Sequence, residues 1–228
     1  MTNRIVLFDV DGTLVDTNYH HVIAWSRALR GKDVTVPLWE LHRAIGMGGD
    51  RLIEHVAGQD VEAEHGDELR KQWKREYERI IDEVVPLPGA RDLLVAARDQ
   101  GFGVALASSG DPDHVAHYLD MLDARDLADD WTTAEDAENT KPSPDLLANA
   151  LAKVGGDTAV LVGDSIWDCR AAKSAGLPSV AVRTGGFSED ELRESGAGEV
   201  FAGLPDVRKS LSSLSFGRIE PDRSSPRQ

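Results

Sequence analysis

The stretch "FDVDGTLVDT" (residues 8–17) sets three aspartates within eight positions, directly behind the apolar run "IVLF". Such a run reads as a buried strand. In an extended chain, residues two apart point to the same side, so Asp9 and Asp11 share one side of the strand's carboxyl end. In open α/β sheets that end is where ligands bind. Two carboxylates meeting there require a cation, or one of them must hold a proton. The pair suits a carboxylate nucleophile working with an acid/base partner and Mg²⁺. Asp16 reads differently, as a cap with Thr17 for the next helix.

Downstream, short β-like runs alternate with helix-period segments. Strands are expected at 4–10, 103–107, 159–162, 179–182 and 199–202, and helices near 90–100, 114–122, 144–154, 168–175 and 188–194. This alternation implies an α/β fold, a Rossmann-like parallel sheet covered on both faces. One stretch breaks the rhythm. Residues 18–85 hold no good strand, only amphipathic patterns such as "YHHVIAWSRAL" and "DELRKQWKREYERIIDEV", and "PLPGA" at 86–90 punctuates the return. The expected organisation is a core of 1–17 and 86–208, an inserted helical segment of 18–85, and a tail of 209–228. That tail is polar and rich in Ser, Pro and Arg, and is expected to be frayed.

Charge narrows the function. The 228 residues carry a net −15, which makes nucleic acid and anionic membranes poor partners. Any anion site in such a chain must be locally positive, or be made so by a metal. No segment has the apolar length to span a bilayer, and the first apolar run, interrupted by Asp9 and Asp11, is not expected to be a signal peptide. The one cysteine, Cys169, excludes an intrachain disulfide and fits a cytoplasmic protein. Ten acidic residues lie between Asp111 and Glu138 against Arg125 alone; lacking EF-hand spacing, they are expected to form a solvated face, not a calcium site.

The other strand ends add further chemistry. After "VALA" come Ser108, Ser109 and Gly110, ahead of a helix. A hydroxyl and bare N–H groups at a helix N-terminus suit an anion, although the same tripeptide is also an ordinary loop. Lys141, in "NTKPSPD", precedes a helix with Ser143 as its expected N-cap and Pro144 in its first turn. "VLVGDSIWDCRAA" ends a strand on Gly163 and Asp164; Ser165 and Asp168 have the spacing of a capping box, which leaves Asp164 unexplained.

In this order the pieces resemble the haloacid dehalogenase-like hydrolase superfamily, from residue 4 to about 207. Its motif D-x-D-G-T stands at 9–13, its Ser or Thr after an apolar strand at Ser108, its lysine at Lys141, and its G-D-x-x-x-D at 163–168. The look is nearest to the phosphoglycolate phosphatase-like and β-phosphoglucomutase-like branch. The resemblance implies that the helical segment is a cap domain whose loop "AIGMGGDRL" (44–52) reaches the substrate. It implies a Mg²⁺-dependent phosphatase acting on small phosphorylated metabolites through an aspartyl-phosphate. Asp9 would attack phosphorus; Asp11 would protonate the leaving oxygen and then take a proton from water. Mg²⁺ would be held by Asp9, the Asp11 backbone carbonyl and Asp164, with Asp168 acting through water or as an orienter. Gly12, Ser108, Ser109 and Lys141 would receive the phosphoryl group, and Arg51 a second anionic group. A cytoplasmic monomer or weak homodimer is expected.

Rivals separate on single residues. The dehalogenase branch lacks the second aspartate present here as Asp11, and a P-type ATPase needs membrane spans. A β-phosphoglucomutase-type mutase forms the same intermediate, and His21 falls where such mutases, and related phosphatases, carry a histidine. A mutase also calls for a cationic grip in the cap. There the loop offers Gly46, Gly48 and Gly49, with Arg51 as its only basic residue, which favours a phosphatase. A module that only binds phosphate or metal would have no need of Asp11. Trp25, Trp39 and Trp73 are expected to pack the helical segment, and Cys169 to be a small buried residue.

Overall fold

The computed structural model describes residues 4–136, 141–156 and 158–218. Among these, six strands form one sheet: β1 (Arg4–Phe8), β2 (Gly103–Ala107), β3 (Asp130–Thr132), β4 (Thr158–Gly163), β5 (Ser179–Val182) and β6 (Glu199–Phe201). Their order is β3-β2-β1-β4-β5-β6 and every pairing is parallel. The chain winds outward from β1 to β3, then returns to start again at β4 on the other side of β1. The carboxyl ends of β1 and β4 therefore flank the crevice where such sheets bind ligands.

The run Ile5 to Phe8 is buried throughout because helices cover both faces. Side-chain alternation splits it. Val6 and Phe8 pack with α5 (Ala90–Asp99), α6 (Pro112–Met121) and α10 (Leu204–Ser210), while Ile5 and Leu7 pack with α7 (Asp145–Lys153) and α8 (Ile166–Ser174). A shorter helix, α9 (Glu189–Ser195), contributes Leu192 to a small cluster with Cys169 and Phe187.

Between β1 and α5 the chain forms α1 (Asn18–Arg30), α2 (Leu38–Ala44), α3 (Gly49–Ala57) and α4 (Gln59–Glu78). This insertion has its own apolar cluster, built on Val22, Trp25, Leu29, Leu41, Ile53 and Leu69. It is entered and left through one two-stranded ribbon. Val15 bridges Pro86 in antiparallel fashion, Asp16 N donates to Val85 O at 2.9 Å, and Leu87 N to Leu14 O at 2.9 Å.

Several expectations are corrected. Asp16 does not cap α1; Thr17 occupies that position, and its hydroxyl instead accepts the Gly12 N–H at 3.1 Å. Ser143 does not cap α7, whose first position follows Pro144 without a side-chain cap. β3 was not expected, because three residues, "DWT", give no readable period. The acidic stretch is not simply solvated: Asp111, Asp120, Asp123, Asp129 and Asp136 pair with Lys74, Arg125, Arg91, Arg98 and Lys153. Glu138 lies outside the described residues. Trp25 and Trp73 stack at 5.3 Å as packing residues, but Trp39 is 68% exposed. The tail is folded as far as 218: Leu211 and Leu214 are buried, Phe216 stacks on Phe102, and Gly217 bridges Ala159. The remainder of the expected frayed tail, 219–228, lies outside the described residues.

Candidate active site

Asp9 continues the β1 ladder by one bond, its N–H donating to Val162 O at 2.9 Å, and then the chain turns back. Gly12 makes the turn. Its φ of +74° suits glycine, and a Cβ there would collide with the Asp164 carboxylate and the Asn18 amide. The Gly12 N–H is consumed inside the turn by Val15 O at 2.8 Å and Thr17 Oγ1 at 3.1 Å. The expected phosphate contact from Gly12 is thus corrected: the residue shapes the turn and has no N–H to spare.

The turn brings Thr13 between two strands' ends. Its hydroxyl lies 3.1 Å from Asp9 Oδ2 and 3.1 Å from Asp164 Oδ1. Asn18, in the first turn of α1, donates to Asp164 Oδ2 at 2.9 Å. Sequence reasoning missed Asn18, which stands within ten residues of Asp9 but touches a residue 146 positions away. Asp168 forms the capping box at the start of α8: Oδ2 accepts from Ser165 N at 3.1 Å and Ser165 Oγ at 2.6 Å. Lys141, 1% exposed, pairs with Asp9 and, at 2.6 Å, with Asp168 Oδ1.

Carboxylate oxygens of Asp9, Asp164 and Asp168 fall within 4.8 Å of one another, all buried. Three acids face one lysine, so the cluster lacks positive charge. Burial, reinforced by Asp168, pushes the Asp164 carboxyl up to about 7. Burial also holds Asp9 well above the usual carboxylate range, against the pull of Lys141. Burial alone would lower Lys141, but Asp168 and Asp9 outweigh it and its pKa is raised. A set of hard oxygen donors short of cationic charge fits a divalent ion such as Mg²⁺.

Asp11 stands apart from this trio. Burial works to raise its pKa, yet the hydrogen bond and charge of His21 hold the carboxyl below its ordinary value. His21 Nε2 lies 2.9 Å from Asp11 Oδ1, so Nε2 carries the hydrogen that meets the carboxylate. The imidazole is clamped by stacking on Tyr77 at 4.3 Å and Trp73 at 5.6 Å.

A cavity of about 540 Å³ opens over Asp9, Asp11 and Lys141. Ser109 lines it, while Ser108 is buried behind with its Oγ accepting the Gly110 N–H at 2.9 Å. The start of α6 is not a bare anion site. Asp111 caps it, accepting from Asp113 N at 3.0 Å, and pairs with Lys74 at 2.7 Å. From the insertion come Trp25, Met47, Gly49 and Trp73, and three cations of α4: Arg70, Lys71 and Lys74. Arg51 is exposed and is not part of the lining, which corrects its expected place. The insertion is therefore charged where it faces the cavity, contrary to the expectation drawn from its glycine loop. The readable signal was the spacing "RKQWK" at 70–74, which sets Arg70 and Lys74 one helical turn apart beside Trp73.

Known proteins resemble this chain in sequence and in fold. A family model described as haloacid dehalogenase-like hydrolase matches residues 4–176. The chain belongs to that family. Among its relatives is a phosphoglycolate phosphatase of Caulobacter vibrioides, 31% identical over 94% of this chain and 93% of that one. A hydrolase from Pseudomonas syringae superposes with a TM-score of 0.87 at 30% identity, covering 94% of this chain and all of that one. A β-phosphoglucomutase from Clostridium difficile shares the fold, with a TM-score of 0.79 at 19% identity over 93% and 96% of the two chains. Within the haloacid dehalogenase-like family, then, this member is a phosphatase, a phosphoric monoester hydrolase. Among its described residues no helix is long and apolar enough to cross a membrane.

Proposed function

We propose that the protein hydrolyses small phosphomonoesters, phosphoglycolate among them, through a phosphoryl group carried transiently by Asp9, with Mg²⁺ as cofactor. The observation that carries this reading is the pairing of Asp9, held by Lys141 and Thr13, with Asp11, held by His21, at the mouth of one cavity. Asp9 Oδ atoms serve as nucleophile, and Lys141 places its charge where the transferring group gathers negative charge. Asp11, kept as a carboxylate beside the His21 N–H, is set to take a proton from the water that releases phosphate. In the first step Asp11 enters with a proton and gives it to the leaving oxygen, which yields the carboxylate that the His21 N–H then holds. Asp168 Oδ1 pairs with Lys141 at 2.6 Å, so Asp168 would orient that lysine and would reach the metal through water.

The Asp9 and Asp164 carboxylates and the Asp11 backbone carbonyl would hold Mg²⁺, which neutralises phosphoryl oxygens when bound. Thr13 and Asn18 fix the Asp164 carboxylate for that duty. Residues 18–85 serve as a cap over the cavity. A cytoplasmic monomer or weak homodimer is in keeping with a single cysteine, Cys169, whose thiol burial pushes up to about 12.

The test is phosphate release across a panel of phosphomonoesters with Mg²⁺, with chelator, and with the Asp9→Asn variant. Activity that disappears with chelator, returns with Mg²⁺ and is absent in Asp9→Asn supports the reading. Full activity in chelator, or in the variant, sinks it. If β-glucose 1-phosphate and glucose 6-phosphate interconvert faster than phosphate appears, the protein is a mutase instead.

A further inference from the structure

Three cations of α4 face the cavity, and two of them are already occupied. Arg70 binds Glu62 at 2.8 Å, Asp67 at 2.9 Å and the Gly49 carbonyl at 3.2 Å, which ties α4 to the glycine-bearing loop. Lys74 reaches across the cavity to Asp111 at 2.7 Å and Asp113 at 3.5 Å. Lys71 lines the same cavity and makes no hydrogen bond or ion pair among the described residues. Its charge acts on Asp67 and Glu68 of the same helix, but those are already bonded to Arg70 and Lys32, so the exposed Lys71 ammonium has contacts left for a ligand.

We propose that Lys71 sets specificity, pairing with a carboxylate at the far end of a short phosphomonoester; this rests on the phosphatase reading above. Transfer of the phosphoryl group needs the core residues with Asn18 and His21, and leaves α4 of the insertion free to read the remainder of the molecule. Trp25, Met47 and Trp73 line the same cavity and give that remainder an apolar wall, while the exposed Lys71 meets its far end from the solvent side. One unmatched lysine balances one charge. A carboxylate supplies one, whereas a second phosphate brings close to two and would also meet Glu135, another residue of this cavity. The lysine is a compact point charge rather than a fork, so it accepts a small terminal carboxylate without demanding planar alignment. The substrate class is therefore the phosphate ester of a small hydroxy acid.

Two measurements test this. The first compares kcat/KM for 2-phosphoglycolate, ethyl phosphate and ethylene glycol bisphosphate in the wild type, Lys71→Ala and Lys71→Arg. The expected result is a loss in Lys71→Ala at least about tenfold larger for 2-phosphoglycolate than for ethyl phosphate, carried by KM, and largely recovered in Lys71→Arg. Equal losses on both esters, or none on 2-phosphoglycolate, overturn the proposal. A larger loss on the bisphosphate than on 2-phosphoglycolate overturns the carboxylate assignment. The second measurement needs no turnover: calorimetric titration of 3-phosphonopropionate and propylphosphonate in Mg²⁺. Wild type should prefer the carboxylated phosphonate and Lys71→Ala should not. A wild type that hydrolyses no ester yet keeps this preference refutes the phosphatase reading and leaves Lys71 in place. A wild type that hydrolyses esters without any preference refutes Lys71 alone.

Discussion

Replacing Lys141 with Met isolates the electrostatics of the buried cluster, because the thioether keeps most of the volume and removes only the charge. Among the described residues Lys141 is the sole cation in contact with Asp9 and Asp168, and Asp164 lies within the same 4.8 Å group. Without it, three buried carboxylates face one another unpaired. Removing one partner of a buried pair costs about 3–5 kcal/mol. For a chain of this size that lowers the melting temperature by roughly 6–20 °C in metal-free buffer. The pH dependence fixes the sign. A carboxyl raised in the folded state, such as Asp164 at about 7, contributes stability that is fully present below the ordinary aspartate value and lost as pH rises through about 7. The metal-free variant should therefore melt lowest at pH 8 and recover toward pH 5. Saturating Mg²⁺ should raise its melting temperature more than that of the wild type, because the ion takes over as counter-charge. Differential scanning fluorimetry over pH, with and without Mg²⁺, reads all three. A variant within about 1 kcal/mol of wild type at pH 8, or one that Mg²⁺ stabilises less than wild type, would falsify the charge deficit argued for this cluster.

Asp11→Asn should leave Mg²⁺ affinity intact while cutting kcat by roughly 10²–10⁴-fold; loss of metal affinity with normal kcat at saturating metal would reverse the assignment. Asn18→Ala releases one oxygen of Asp164 and should weaken Mg²⁺ binding by about tenfold or more, as read by calorimetry. Unchanged affinity would mean that Asn18 only fills space. Because Asp164 titrates near 7 and must lose its proton to ligate, Mg²⁺ affinity should fall about tenfold per pH unit below that point. A flat profile between pH 7 and 5 would exclude Asp164 from the metal site.

The sheet and the insertion were readable from period and punctuation, since "IVLF", "VALA" and "AVLVG" are long enough to show buried strands. β3 escaped because three residues at a sheet edge, two of them half-buried, carry no such pattern. The ordered residues 211–217 escaped because a few apolar side chains, Leu211, Leu214 and Phe216, anchor a segment whose composition is otherwise polar. In the candidate site, Asp9, Asp11 and Asp164 stood out at strand ends, whereas Ser108, Lys141 and Asp168 took their expected roles from the family resemblance; the structure gathers Asp9, Lys141, Asp164 and Asp168 at one point. What holds them was not legible. Asn18 read as an ordinary residue of an amphipathic helix and His21 only as a position that mutases and phosphatases share; the turn at Gly12 is what lays that helix against two aspartates. Arg51 was chosen for nearness in sequence to the glycines, whereas the cavity draws its cations from α4, some twenty residues later.

The ribbon ties the two crossings between sheet and insertion into one paired connection, so any swing of the proposed cap would turn about a single axis. Because α1 starts at that axis, distance along α1 acts as a lever arm. Asn18, two residues past the ribbon, sits close to that axis, so its grip on Asp164 would survive a swing. His21 stands about 4.5 Å farther along the helix, and its 2.9 Å contact with Asp11 is the first to stretch. Were the proposed cap to open about this ribbon, the proposed ion's seat would stay intact while the proton partner is withdrawn, and closure would restore the His21 contact to Asp11 without reassembly of the metal centre.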